Sequence, residues 1–258
     1  MFQSTQTKIM KSTNAFLLSF VLTLAAQFSH ATNPDTRVYE TRIYYAEPGK
    51  LDALVARFRN HTTAFFKKFG MTNVGYFIPA TNPDNKLIYI LSYPSREARE
   101  ASWKVFGADP ERIKVFKESE ENGKLVKKID QIFMKTTDFS YPVKKKNIGR
   151  QSRIFELRTY KTLPNKLPDL LNRFKNHTVK LLEKHGMTNI AYWIPTDRDD
   201  TLIYILAHPS EAAAKDAFAA FGKDPEWIKA RDASEANGKI VEKIESVFMN
   251  ATDFSLIK

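Results

Sequence analysis

The sequence predicts an α+β fold in which two tandem ferredoxin-like units, each β-α-β-β-α-β, close into one intramolecular barrel. Three observations carry this expectation. The chain repeats itself over most of its length, and each copy passes through strand-like and helix-like periodicities in that order. A unit of this kind covers one sheet face with its helices and leaves the other open, so two copies in one chain can cover each other.

The repeat is direct. RFRNHT (Arg57 to Thr62) returns as RFKNHT (Arg173 to Thr178), YETR from Tyr39 returns as FELR from Phe155, and GMTN at Gly70 returns at Gly186, all at a displacement of 116. The loop TNPDNK returns one residue shorter as DRDDT, and the displacement then becomes 115: LIYIL, DPE, NGK and FM recur from Leu87, Asp109, Asn122 and Phe133 at Leu202, Asp224, Asn237 and Phe248. The expected organisation is a leader over residues 1–31, a first unit over 32–140, a linker over 141–152 and a second unit over 153–258.

Each element has a local reason. VYETRIYY (Val38 to Tyr45) and RIFELRTY (Arg153 to Tyr160) are β-branched and aromatic with period-two alternation, so each is a first strand. In KLDALVARFRNHTTAFFKKF, apolar residues recur at three- and four-residue steps up to Gly70, which marks an amphipathic helix with a glycine stop. TNVGYFIPA and KLIYILSY, joined by the turn-rich TNPDN, form a hairpin. Ser95 to Phe106 and Asp109 to Asn122 are helical, the second capped by Asp109 with Pro110 at its first position and closed by Gly123. The strand LVKKIDQIFM completes the unit.

Lys8 and Lys11 precede the apolar run Ala15 to Phe28, which ends in Ser29-His30-Ala31. This is the layout of a cleaved secretory signal peptide, since the run is shorter than a membrane-spanning helix needs. The expected location is periplasmic or secreted. There is no cysteine, which excludes disulfides, thiol catalysis and thiolate metal sites. The net charge of +11 is read as scattered surface charge, compatible with weak association with an anionic envelope surface but not with a nucleic-acid partner.

Strand alternation puts Glu40, Arg42 and Tyr44 on one face of the first strand, and Glu156, Arg158 and Tyr160 on the matching face of the other. Phe155 and Leu157 are the better helix-facing residues, which turns the Glu, Arg and Tyr sets toward the barrel interior. There they are either structural ion pairs or a polar patch in a pocket. In the second case arginine binds an anionic or carbonyl group and glutamate orients it. Tyr76 and Tyr192 can add to that pocket or serve as core.

His61 and His177 lie at the edge of the apolar helix stripe. They either pack and hydrogen-bond a neighbour or act as general acid and base. No metal site is expected, because His177 and His185 are about 12 Å apart along a helix. No phosphate loop, nucleophile elbow or zinc-protease motif is present, and no cofactor is called for.

The series Y/F-E-x-R-x-Y, RFxNHT, GMTNxxYxIP and FGxDPE, in that order and twice over, resembles the NIPSNAP family. The resemblance covers the chain from about Arg37 to its end and is similar to an exported bacterial-type member. It implies a fold of the dimeric α/β-barrel superfamily, whose other members include cofactor-independent monooxygenases and haem-handling enzymes. The expectation is therefore a barrel that binds a small, partly apolar molecule or a protein partner. The alternative is a cofactor-independent monooxygenase-like or other barrel enzyme. A homo-oligomer is compatible with either.

Overall fold

The computed structural model describes residues 1–2, 35–143 and 153–258. Apart from its first two residues, the expected leader lies outside them, as does the linker from residue 144 to 152. In the first repeat the order is β1 (Val38–Ala46), α1 (Leu51–Arg57), α2 (Thr63–Lys68), β2 (Thr72–Pro79), β3 (Lys86–Tyr93), α3 (Arg96–Ala108), α4 (Pro110–Ser119) and β4 (Val126–Thr136). The second repeats it as β5 (Ile154–Thr162), α5 (Leu167–Arg173), α6 (Val179–Lys184), β6 (Thr188–Pro195), β7 (Thr201–His208), α7 (Glu211–Lys223), α8 (Pro225–Ser234) and β8 (Val241–Ala251).

The expected Asp109 cap is in place, accepting from the backbone N–H of Arg112, and Ser95 caps α3 in the same way through Ala98. Gly70 takes the left-handed backbone just past α2, whereas α4 ends at Ser119, short of the expected Asn122, and Gly123 closes the turn that follows by donating to the Glu120 carbonyl.

The strands close into one barrel in the order β1-β3-β2-β8-β5-β7-β6-β4, every pairing antiparallel. Within a repeat the ladders are long: β1 pairs with β3 from Val38↔Tyr93 to Tyr45↔Lys86. Between repeats they are short. Phe77, Ile78 and Pro79 pair with Ala251, Asn250 and Met249, and Met134, Lys135 and Thr136 pair with Pro195, Ile194 and Trp193. Equivalent strands run the same way round the barrel, so its pseudo-twofold lies along the barrel axis and the two ends differ.

Three apolar clusters follow from this closure. One lies in the lumen and draws on both repeats, with Tyr39 against Trp193 and Phe77 against Phe155 at 5.7 and 5.2 Å between ring centres, and Met134 and Met249 beside them. The others lie outside the sheet, beneath each repeat's own helices. The tail of each last strand crosses to the opposite repeat. Phe139 packs on Tyr192 and Phe254 on Tyr76, while Ser140 and Ser255 accept from the backbone N–H of the same two tyrosines.

The first helix of each repeat is not the uniform helix its pattern suggests. One wider π-type turn, Phe58–Thr62, separates α1 from α2, and Phe174–Thr178 separates α5 from α6. The Thr62 hydroxyl donates to the carbonyl of Arg57 and Thr178 to that of Arg173, both at 3.3 Å. Asn73 and Asn189 of the two GMTN motifs donate to the carbonyls of Thr63 and Val179, the first residues after each turn, at 3.0 Å. RFxNHT and GMTN are therefore two sides of one local structure.

Candidate functional site

The barrel is filled at one end and hollow at the other. Val143 and Ile257 pack onto the lumen cluster, and Arg37, Ser92 and Thr72 are hydrogen-bonded at the end where β1 begins. At the end carrying the β2–β3 and β6–β7 loops lies a cavity of about 550 Å³. Its walls are Ile43, Ile88, Ile132, Leu157, Ile203 and Val247, with the buried Thr41 deeper in, and its rim is polar, including Thr159, Asn82, Asp84, Lys86, Arg198 and Glu245. An apolar hollow with a few convergent polar groups, within the size range of small-molecule sites, is what a binding pocket requires.

This cavity is lined by the strand face that sequence reasoning assigned to the helices. Tyr39, Thr41, Ile43, Phe155 and Leu157 face the lumen, while Glu40, Arg42, Tyr44, Glu156, Arg158 and Tyr160 face outward beneath the helices. That is a correction of the expected orientation, and its cause is the set of partners supplied from outside the strand. The Glu40 carboxylate accepts from Arg42 (2.5 Å), from Arg99 of α3 (2.9 and 3.1 Å) and from the Tyr93 hydroxyl (2.9 Å). The Arg42 guanidinium stacks 4.3 Å over Trp103, and Gln131 of β4 accepts from it at 3.1 Å. A buried carboxylate this well satisfied is stable where the lumen, lined with isoleucines, would offer it nothing.

The second repeat builds the same cluster from different residues. Glu156 accepts from Arg158, from Ser246 at 2.6 Å and shares a hydrogen bond with the His208 ring at 3.0 Å. Where the first repeat has Tyr93, Arg99 and Trp103, the second has His208, Ala214 and Phe218. Burial pushes the Glu40 carboxyl up, but the hydrogen bonds of Arg99 and the charges of Arg42 and Arg99 bring it below the usual carboxylate value. Burial is likewise outweighed at Glu156 by His208, Arg158 and Ser246. Both clusters are thus ionised and internally paired.

Tyr76 and Tyr192 also face outward and are fully buried, stacked on Tyr89 and Tyr204 with ring centres 5.4 and 5.1 Å apart. Their hydroxyls donate to Asn73 and Asn189. His61 and His177 occupy the exposed side of the π turns, on the same side of the sheet as the Glu-Arg-Tyr clusters but directed to solvent. His61 lines a shallow groove of about 310 Å³ between α1 and α4, together with Arg57. The structure therefore joins Glu40, Arg42 and Tyr44, and Glu156, Arg158 and Tyr160, into one cluster per repeat. It leaves both histidines out.

Two arginines went unread in the sequence. Arg57 and Arg173, at the head of RFxNHT, are only 5% and 4% exposed. Arg57 donates to Ser119 and Glu120 and lies 4.2 Å over Phe116, and Arg173 donates to Ser234 and Glu235. Their recurrence in both copies was the available signal. Among the described residues, no three histidine, aspartate or glutamate side chains are grouped to hold a metal ion, and no helix is long and apolar enough to cross a membrane.

Known proteins place this architecture. A candidate monooxygenase from Lactobacillus acidophilus NCFM aligns over 84% of this chain and 94% of its own, with a TM-score of 0.55 and 9% identity. An anthrone oxidase-like protein aligns over 87% and 95%, with a TM-score of 0.52 and 12% identity. At such identities the likeness is one of fold alone. A NIPSNAP family protein with unknown function from Agrobacterium tumefaciens str. C58 aligns over 43% of this chain and 97% of its own, with a TM-score of 0.38 and 18% identity. No curated protein matches the chain. The NIPSNAP family model matches residues 39–141 and again 155–256, one match to each repeat, and the chain belongs to the NIPSNAP family.

Proposed function

We propose that the protein binds a small, partly apolar molecule in the open end of its barrel. The observation that carries this is the hollow of about 550 Å³ walled by aliphatic side chains and rimmed by polar ones. The rest of the lumen is filled by Tyr39, Phe77, Phe155 and Trp193, so the hollow is a feature of one end, not of loose packing throughout. The Glu-Arg-Tyr clusters support this reading from the outside. Their charges are spent on each other and fix the strands whose opposite faces form the cavity walls.

N-phenyl-1-naphthylamine, a neutral apolar fluorophore, is a suitable probe. Saturable enhancement at one probe per chain is expected, with loss of the signal in Leu157→Trp and Val247→Phe, both of which fill the hollow while circular dichroism stays unchanged. Binding that is absent, or indifferent to both substitutions, would refute the proposal. Oxygen consumption on adding a bound phenol would instead favour the oxygenase reading that this fold also accommodates. We also propose export of the mature chain, supported by Lys8, Lys11 and the apolar run from Ala15; N-terminal sequencing of protein recovered from the host envelope tests it.

A further inference from the structure

We propose that a groove beside the barrel mouth holds the head group of the same molecule, which makes the ligand an amphiphile whose polar head carries no net charge. This rests on the reading of the mouth cavity as a binding site. A second hollow, of about 510 Å³, adjoins the mouth cavity and shares Thr159, Arg198 and Glu245 with it. The two are chemically opposite. Where the first is walled by aliphatic side chains, the second sets Lys161, Arg198 and Lys243 against Asp200, Glu242 and Glu245.

These charges balance, and most are engaged with one another. Lys161 lies 2.9 Å from Glu242 and Lys243 is 2.5 Å from Glu245, while Arg198 lies 3.1 Å from Asp197, outside the groove. Pairs as exposed as these are weak and open readily to a polar group. A head with both donors and acceptors, or with both signs of charge, can bond to both members of a pair. A head of one sign must displace one member and face the other uncompensated. The chain's overall charge of +11 would by itself select an anion, so the local lining and the global charge make different predictions.

The first repeat differs at the matching positions. At the position of Lys161 the first repeat has Tyr45, whose ring lies 5.2 Å from the Lys86 ammonium and 5.0 Å from that of Lys128, and whose hydroxyl donates to Asp130 at 3.0 Å. At the position of Thr159 it has Ile43. The first repeat thus sets an aromatic ring where the second has a lysine of the groove, which places the head beside β5 and β8.

The test is displacement of N-phenyl-1-naphthylamine by dodecyl maltoside, dodecylphosphocholine, dodecanoate and dodecyltrimethylammonium, each below its micelle concentration. The two heads without net charge are expected to compete at roughly tenfold lower concentration than the two charged ones, the factor that about 1.4 kcal/mol of uncompensated charge confers. The arms also separate a hydroxyl-rich head from a zwitterionic one. In Glu242→Gln Glu245→Gln, dodecanoate should gain about tenfold and dodecyltrimethylammonium should lose by a similar factor. If dodecanoate already matches the maltoside in the native chain, or the double variant leaves the ranking as it was, the head-group assignment falls while Leu157→Trp still blocks every compound. If none of the compounds competes, or Leu157→Trp blocks none, the mouth cavity itself is not the site and both readings fall.

Discussion

Replacing Glu40 by Gln tests the buried charge cluster that turns the first strand's polar face outward. The native carboxylate takes two bonds from Arg99, one from Arg42 and one from Tyr93, and it is fully buried. Glutamine keeps one acceptor oxygen and turns an amine toward a guanidinium. Arg42 and Arg99 are then left as two like charges whose side chains are only 9% and 12% exposed. Removing one partner of a buried pair costs about 3–5 kcal/mol, a third or more of the stability of an ordinary domain. For a barrel of this size that corresponds to a fall in Tm of about 6–20 °C.

The pH dependence fixes the cause. The Glu40 carboxyl titrates below its ordinary value of 4.5 in the folded chain, so its contribution is fully present above that pH and is lost as pH falls through the folded value. Urea unfolding at pH 7 and pH 3 should therefore show a large gap between native and variant chains at pH 7 that narrows at pH 3. A variant within about 1 kcal/mol of native at pH 7, or a gap equal at both pH values, would show that the cluster does not hold the strand in this orientation.

Other expectations follow from the same geometry. Glu156→Gln should cost less than Glu40→Gln, by about 1–2 kcal/mol in urea unfolding at pH 7, because it strands one arginine instead of two. Gly75→Ala should destabilise by about 1–3 kcal/mol, since the new Cβ would lie 2.7 Å from the fully buried ring of Phe77; thermal unfolding measures this, and a neutral result would mean the ring has room to move. The double variant His61→Ala His177→Ala should unfold within about 0.5 kcal/mol of the native chain and bind N-phenyl-1-naphthylamine unchanged, because both rings point to solvent. Thr62→Val should cost about 1 kcal/mol by removing the hydroxyl that donates to the Arg57 carbonyl across the π turn, read from the urea midpoint.

The repeat, the order of the elements and their caps were legible in the sequence because they are local: a period, a glycine stop, an Asp-Pro start. The facing of the first strand was not. Alternation divides Tyr39, Thr41 and Ile43 from Glu40, Arg42 and Tyr44 but does not say which set meets the helices, and in a helix-covered barrel both faces are buried. What decides is Arg99, Tyr93 and Trp103, distant in sequence and close only once α3 packs. Ala214 and His208 in the second repeat hid the signal, since the copy preserves the strand and changes its partners. The π turn was hidden for another reason. A one-residue widening leaves the spacing of Phe58, Thr62 and Phe65 compatible with an ordinary helix, and it also conceals Arg57, which reads as a basic flank and is core.

The two short seams between repeats, Phe77–Pro79 with β8 and Met134–Thr136 with β6, have a consequence for how such a barrel can diverge. In a symmetric pair of separate chains every substitution is made twice, so a tyrosine placed beside one half of the barrel mouth appears beside both. Joining the halves in one polypeptide keeps each at high effective concentration for the other, so three residue pairs per seam suffice for closure. Each half is then free to change alone. Tyr45 and Lys161 occupy one position in the fold and make different contacts there, an asymmetry that no symmetric homodimer could have.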